Sequence, residues 1–257
     1  MRPVPLHFTD SGGSGEAVLL AHALGCDHRM WESLAKRLAT RYRVVAVDLR
    51  GHGSSPVQPR PYTLAGMADD ACAVLERLGI ARTHWVGLSM GGMVGQAFAL
   101  RHPGRLDRLV LANTTSAYGP EGRLLWDERM KLVRQGGLAA IRESVARRYF
   151  SAGFIERQPE VVAAAMTRFM ETPAEGYLAC CEAIAALDHS DDLPRIHSKT
   201  LVIAGEADVG TPVAMSQAIV ANVPGARLAV IPGAAHLSVA EKPEEFAALV
   251  TDFLARR

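Results

Sequence analysis

"VGLSMGGMVGQ", running from Val86 to Gln96, sets a serine between glycines where an apolar run meets a helical pattern. Thr83–Gly87 reads as a short strand and Met90–Arg101 as a helix, so the G-x-S-x-G of Gly87 to Gly91 falls on a strand–turn–helix junction. That context turns a five-residue match into a candidate nucleophile elbow. The reason is steric: the serine occupies a sharp turn, and its neighbours must be small for strand and helix to approach. The turn lifts the hydroxyl above the sheet edge, where the positive end of the following helix faces developing negative charge.

A serine hydroxyl is a poor nucleophile until a base takes its proton, and the base needs an orienting carboxylate. After such an elbow the expected order is acid, then histidine. In "TLVIAGEADVGTP" a strand over Thr200–Ala204 leads into a loop with Asp208, and Glu206 is its rival two positions earlier. In "ARLAVIPGAAHLSVAEKPEEF" a strand over Arg227–Ile231 leads to His236 ahead of the last helix. The strand before these, Arg108–Ala112, runs into "LANTT" and offers Asn113 but no carboxylate. Ser89, Asp208 and His236 all fall at C-terminal ends of predicted strands, where open α/β sheets bind ligands. An oxyanion hole completes the set. The small-residue turn in "LLAHALGCDHRMW", Leu19 to Trp31, supplies the Leu24 backbone N–H to act with that of Met90.

Outward from this core the same rhythm continues. Further strands are expected at Leu6–Phe8, Ala17–Ala21 and Arg43–Asp48. Helical patterns cover Trp31–Ala39, Pro212–Ala221, Pro243–Leu254 and a stretch to Leu78 that Thr63 caps and Gly79 stops. Short apolar runs alternating with helices specify an α/β fold, a mostly parallel doubly wound sheet covered on both faces. The rhythm breaks once. From about Ala117 to about His197 only helical patterns occur, at Arg123–Arg134, Leu138–Phe150, Val161–Met170 and Gly176–Leu187, separated by "QGG", "SAG" and "ETP". An insertion of this kind predicts a helical cap over the C-terminal edge of the sheet. It divides the chain into a first core part (1–116), the cap (117–197) and a second core part (198–257).

Composition narrows the function classes. Of 257 residues, 49% are hydrophobic and 21% charged, as in ordinary globular domains. A formal net charge of +1 argues against nucleic acid or an acidic membrane as partner. No apolar run reaches the roughly 18 residues of a membrane span. "AVLLAHALGC", Ala17 to Cys26, faintly resembles an export segment, but Asp10 and Glu16 stand where positive charge belongs. Cys26, Cys72, Cys180 and Cys181 show no disulfide framework, which fits a reducing, cytoplasmic compartment. The oligomeric state is left open, a homo-oligomer included. "VDLRGHGSS", Val47 to Ser55, carries an acid and a histidine, yet Asp48 and Arg50 read as ties within an upstream loop. "DHSDD", Asp188 to Asp192, reads as a solvated turn, because metal-ligand spacings are absent. No glycine pattern is placed for a dinucleotide. Neither a metal nor an organic cofactor is expected.

Elbow, acid, histidine, the DxRGHGxS loop and the helical insertion, all in order, resemble the α/β-hydrolase fold superfamily. Within it the chain resembles the 3-oxoadipate enol-lactonases, lactone hydrolases of aromatic catabolism. "GLSMGGMVGQ" (Gly87–Gln96), "LWDERMKLVRQGG" (Leu125–Gly137), "RYFS" (Arg148–Ser151), "GYLACCEAIAALD" (Gly176–Asp188) and "AAHLSVAEKP" (Ala234–Pro243) carry that narrower likeness. One departure is "AHALG", where many enol-lactonases have a serine–asparagine pair and most general esterases His-Gly. The resemblance implies acyl transfer from a small lactone or ester to water through Ser89, with His236 as base and Asp208 orienting it. For a substrate with a free carboxylate it implies cationic contacts from Arg129 and Arg148 and an apolar wall from Trp126. Alternatives are a broad carboxylesterase or lactonase, or a cofactor-free carbon–carbon hydrolase or perhydrolase. Haloalkane dehalogenases and epoxide hydrolases share the fold but place an aspartate at the position of Ser89. A non-catalytic small-molecule binder need not keep all three side chains.

Overall fold

Seven strands make one sheet: β1 (Phe8–Asp10), β2 (Ala17–Ala21), β3 (Arg43–Val47), β4 (Thr83–Leu88), β5 (Leu106–Ala112), β6 (Lys199–Gly205) and β7 (Arg227–Ile231). They lie in the order β1-β3-β2-β4-β5-β6-β7 in a computed structural model that describes residues 3–256. Only β1 runs antiparallel to its neighbour, β3; the other pairs are parallel. Every residue of β2 and β4 is buried, which is why β2 reads as an unbroken apolar run; β4 carries Thr83 and His84 at its start into the same interior. The first half of the export-like segment is thus an interior strand, and the rest is loop.

Helices α1 (Glu32–Leu38), α2 (Leu64–Arg77) and α3 (Met90–Arg101) connect the early strands. From β2 the chain steps outward to β3, then crosses back past β2 to β4. Right-handed crossovers therefore put α1 on one face and α2 and α3 on the other. α2 and α3 pack together. The reversal leaves a crevice between the C-terminal ends of β2 and β4, the usual ligand position in such sheets. Leu24 follows β2 and Ser89 follows β4.

Between β5 and β6 the chain is helical: α4 (Pro120–Gly136), a 3-10 turn (Leu138–Ile141), α5 (Arg142–Tyr149), α6 (Ala152–Arg157), α7 (Pro159–Glu171) and α8 (Ala174–Ala185). Its two ends are tied by a bridge between Ala117 and Asp188 and by His189 N donating to Ser116 O at 2.8 Å. α4 and α8 pack together, with Arg129 bonded to Tyr177 and Arg134 to Glu182 across the pair. At the start of α8, Gly176 meets Gly51 of the loop after β3 backbone to backbone. A Cβ on either glycine would stand 2.7 Å from the other's Cα. After β6 come α9 (Val213–Asn222), α10 (Ser238–Glu241) and α11 (Pro243–Ala255), the last packed on α1.

Three local expectations shift. The first strand pairs over Phe8–Asp10, not Leu6–Phe8: Leu6 is buried ahead of the ladder, so its apolarity marked core. The helix expected over Leu138–Phe150 begins with the 3-10 turn. "SAG" starts a helix where a break was expected, because the Ser151 side chain caps α6 by accepting from Phe154 N. Among the described residues no helix is long and apolar enough to cross a membrane.

Candidate active site

β4 ends at Leu88 and α3 begins at Met90, leaving Ser89 alone at φ 55°, ψ −114°. Positive φ for a residue with a Cβ costs about 1–3 kcal/mol, so the surroundings must hold it. They do: Ser89 N donates to Ala112 O at 2.8 Å, and Ser89 O accepts from Gly92 N, Met93 N and Thr114 Oγ1. The flanking glycines are enforced by contact. A Cβ on Gly87 would collide with the Gly91 carbonyl, and one on Gly91 with that of Ala21. One on Gly95 would stand 2.5 Å from Trp85 Nε1. As the first residue of α3, Met90 has its amide outside the helix's own ladder.

The carboxylate of Asp208, in the loop after β6, is buried and fully bonded. Oδ1 accepts from Gly210 N (2.8 Å) and Thr211 N (3.0 Å). Oδ2 accepts from Thr211 Oγ1 (2.7 Å), Asn113 Nδ2 (2.9 Å) and His236 Nδ1 (2.8 Å). Burial alone would raise its pKa, but the adjoining imidazole and the bonds from His236, Asn113 and Thr211 hold it well below the usual carboxylate range. With its proton committed to Asp208 from Nδ1, His236 keeps Nε2 as an acceptor. Tyr149 stacks on the imidazole, centroids 6.0 Å apart and planes 22° apart. Ser238 Oγ donates to Asn113 Oδ1 at 2.6 Å and orients the amide. Glu206 is exposed and accepts from Gly233 N, outside this group.

Ser89, His236, Leu24, Trp126, Arg129, Arg148, Tyr118 and Tyr149 line one cavity. No hydrogen bond joins Ser89 Oγ to His236, though both line the cavity. The open space is about 20 Å³, room for roughly one water. Larger cavities, of about 710 Å³ at the opposite sheet edge and about 380 Å³ beside α7, contain none of Ser89, Asp208 and His236. Arg129 donates to Tyr177 OH at 3.0 Å and lies 5.1 Å over the Trp126 ring. Arg148 has neither a hydrogen bond nor an ion pair among the described residues. Burial lowers its pKa and the neighbouring Arg129 charge lowers it further.

The upstream loop lies close by. Asp48 accepts from the Nδ1 atoms of His7 (2.9 Å) and His28 (2.8 Å) and from the amides of His28 and Ser54. These side chains could in principle ligate a metal, but each candidate atom is already spent in this anchor. Arg50 is paired with Asp70 in the core at 2.6 Å. Asn113, Thr211, Tyr149 and Tyr177 were not foreseen as part of the site. For Asn113 a signal existed: it too has positive φ, at 45°, where Asn is among the tolerated residues.

Comparison with known proteins follows this geometry. The chain is 35% identical to 3-oxoadipate enol-lactonase 2 of Acinetobacter baylyi over 95% of its own length and 90% of the relative's. It is 31% identical to RutD of Caulobacter sp. (strain K31), whose name carries a provisional carbamate-hydrolase assignment, over 93% and 91%. The crystal structure of the enol-lactonase from Burkholderia xenovorans LB400 superimposes with a TM-score of 0.93 at 36% identity, covering 98% of this chain and 96% of that one. Residues 18–249 match the alpha/beta hydrolase family, and the chain belongs to it.

Proposed function

We propose that the protein hydrolyses a small lactone or ester bearing a free carboxylate, with 3-oxoadipate enol-lactone as the substrate of choice. The observation that carries this reading is the pair Arg129 and Arg148, two cations without a carboxylate partner among the described residues in the cavity that holds Ser89. Guanidinium forks suit a carboxylate, and a half-buried cation without a counter-charge is a cost that an anionic ligand offsets. Similarity to enol-lactonases supports the same choice.

In this mechanism His236 Nε2 takes the Ser89 proton as Oγ attacks the carbonyl carbon, a contact the Michaelis complex must make. Asp208 holds the imidazole and stabilises its charged form. The amides of Leu24 and Met90 donate to the oxyanion, and neither is spent on another group among the described residues. The tetrahedral centre then collapses, the acyl carbon–oxygen bond within the lactone ring breaks, and His236 returns the proton to the departing enolate. Water, deprotonated by the same imidazole, attacks the acyl-enzyme; the bond from the acyl carbon to Ser89 Oγ breaks, and His236 passes its proton to Oγ as the acid leaves. Trp126 walls the cavity, and segment 117–197 serves as the cap. Since the cavity holds about one water, the cap or its side chains must move to admit substrate. No step calls for a metal or organic cofactor.

A second reading, hydrolysis of neutral esters or carbamates, is favoured by the similarity to RutD. Incubation with enol-lactone separates the two: its ultraviolet band should vanish rapidly and saturably. Much higher kcat/KM on p-nitrophenyl acetate would reject the enol-lactone assignment. Ser89→Ala should lower kcat by several orders of magnitude with folding intact, about 10⁶-fold where serine and base act as a unit. Survival of activity would discard the serine mechanism.

A further inference from the structure

Two buried histidines take no part in the chemistry above. His22 and His52 are wholly inaccessible, their ring centroids 5.2 Å apart. Each accepts a backbone amide at Nε2: His22 from Leu49 N at 2.8 Å, His52 from Gly25 N at 2.9 Å. An acceptor at Nε2 carries its ring proton on Nδ1. Both Nδ1 atoms face carbonyls, Ala23 O at 2.7 Å from His22 and Arg50 O at 3.4 Å from His52. Burial pushes both pKa values down, that of His52 to about 3, so both rings stay neutral near pH 7.

These bonds converge on the loop after β2. The Leu24–Gly25 peptide is held at both ends: its oxygen accepts from Tyr149 OH and its N–H donates to His52. In the preceding peptide Ala23 O accepts from His22 Nδ1 and from Cys26 N. The Leu24 N–H points away from that oxygen across a trans peptide, and Leu24 lines the cavity with Ser89. Gly25 sits at φ 72°, and residues 22–25 belong to no strand or helix. With no ladder to shape it, the loop depends on these ties.

We propose that His52 is a positioning residue for the oxyanion hole, its Nε2 fixing the Leu24–Gly25 peptide so that the Leu24 amide stays aimed at the oxyanion. His22 secures the arrangement by bonding Leu49, at the start of the loop that carries His52. The inference rests on the serine-hydrolase reading. It gives the histidine of "RGHG" work that the Asp48 and Arg50 ties leave undone.

His52→Leu keeps the bulk and removes the acceptor; in His52→Gln, Oε1 reaches close to the place of Nε2. His52→Leu should lower kcat about ten- to a hundredfold, part of what loss of a whole donor costs, with KM changed about twofold or less. His52→Gln should recover most of that loss. A boronic acid, whose serine adduct places an oxygen in the oxyanion position, should bind His52→Leu more weakly by a similar factor. A lower Tm with kcat and boronate affinity unchanged per folded molecule would overturn the proposal. Should His52→Leu not fold, nitrogen-15 NMR of the native ring decides: a proton on Nδ1 with Nε2 bonded to the Gly25 amide is expected, and a proton on Nε2 refutes it. Activity in Ser89→Ala discards the serine reading instead, and the ring tautomer is independent of that outcome.

Discussion

Arg148→Met separates what the cavity is built to bind from what keeps the protein folded. The Arg148 stem lies over Gly210, where an added Cβ would stand 3.3 Å from Arg148 Cγ and Cδ. Methionine keeps that packing and deletes the charge. A charge-assisted hydrogen bond to a carboxylate contributes about 1.5–3 kcal/mol. Because Arg129 remains, the lower end applies, about 1.5–2 kcal/mol, or roughly 10- to 30-fold in kcat/KM on the enol-lactone. On neutral p-nitrophenyl acetate the change should stay within about threefold, since no carboxylate is there to lose its partner. Removing an unpaired cation from beside Arg129 should stabilise the free protein by about 0.5–1 kcal/mol, raising Tm by roughly 1–4 °C for a chain of this size. Steady-state kinetics on both substrates, with calorimetry on the same preparations, make the measurement. Equal losses on both substrates would refute the carboxylate contact, and a lowered Tm would refute the idea that Arg148 is placed at a cost to the fold.

Asp208→Asn should cut kcat about 10⁴-fold by disturbing the imidazole tautomer, whereas Glu206→Ala should be mild; the reverse ranking in steady-state assays would reassign the acid. Gly91→Ala drives a Cβ into the Ala21 carbonyl, so urea denaturation should show a loss of about 3 kcal/mol or more, and an unchanged midpoint would mean that the elbow yields. His22 and His52 have folded pKa values below the ordinary value near 6.5, so the unfolded chain takes up their protons first as pH falls. Their contribution is complete above about pH 7 and drains away below it, toward about 3 for His52, at up to about 1.4 kcal/mol per pH unit for each ring. Urea midpoints at pH 7.5 and 5.5 test this, and a flat profile would count against two neutral buried rings.

Ser89, Asp208 and His236 stood out as candidates because each follows a strand signalled by its apolar run, and chain order then limits the choices. The structure sets Asp208 and His236 2.8 Å apart and leaves Glu206 exposed. Arg129 and Arg148 came from cap motifs, and both line the cavity. Asn113 was noticed only as a position lacking a carboxylate. Its value as a donor to Asp208 depends on β5 and β6 lying side by side, which no local pattern encodes. Tyr149 and Tyr177 lay inside two of the cap motifs but drew no separate reading, because their hydroxyl partners, Leu24 O and Arg129, lie on distant segments. The short α6 escaped because six residues give too little periodicity, and its capping serine looked like a breaker. His52 hides its partner in a loop 27 positions upstream.

The meeting of Gly51 and Gly176 sets a boundary on how this scaffold can be re-tailored. Most contacts drift by exchange, one partner growing as the other shrinks, but glycine has nothing left to give up. Any residue larger than glycine at either position must push α8 off the loop that carries His52, and no reciprocal change can make room. Changes to the cavity around Trp126, Arg129 and Arg148 must therefore be made with this junction left in place, like a riveted hinge plate.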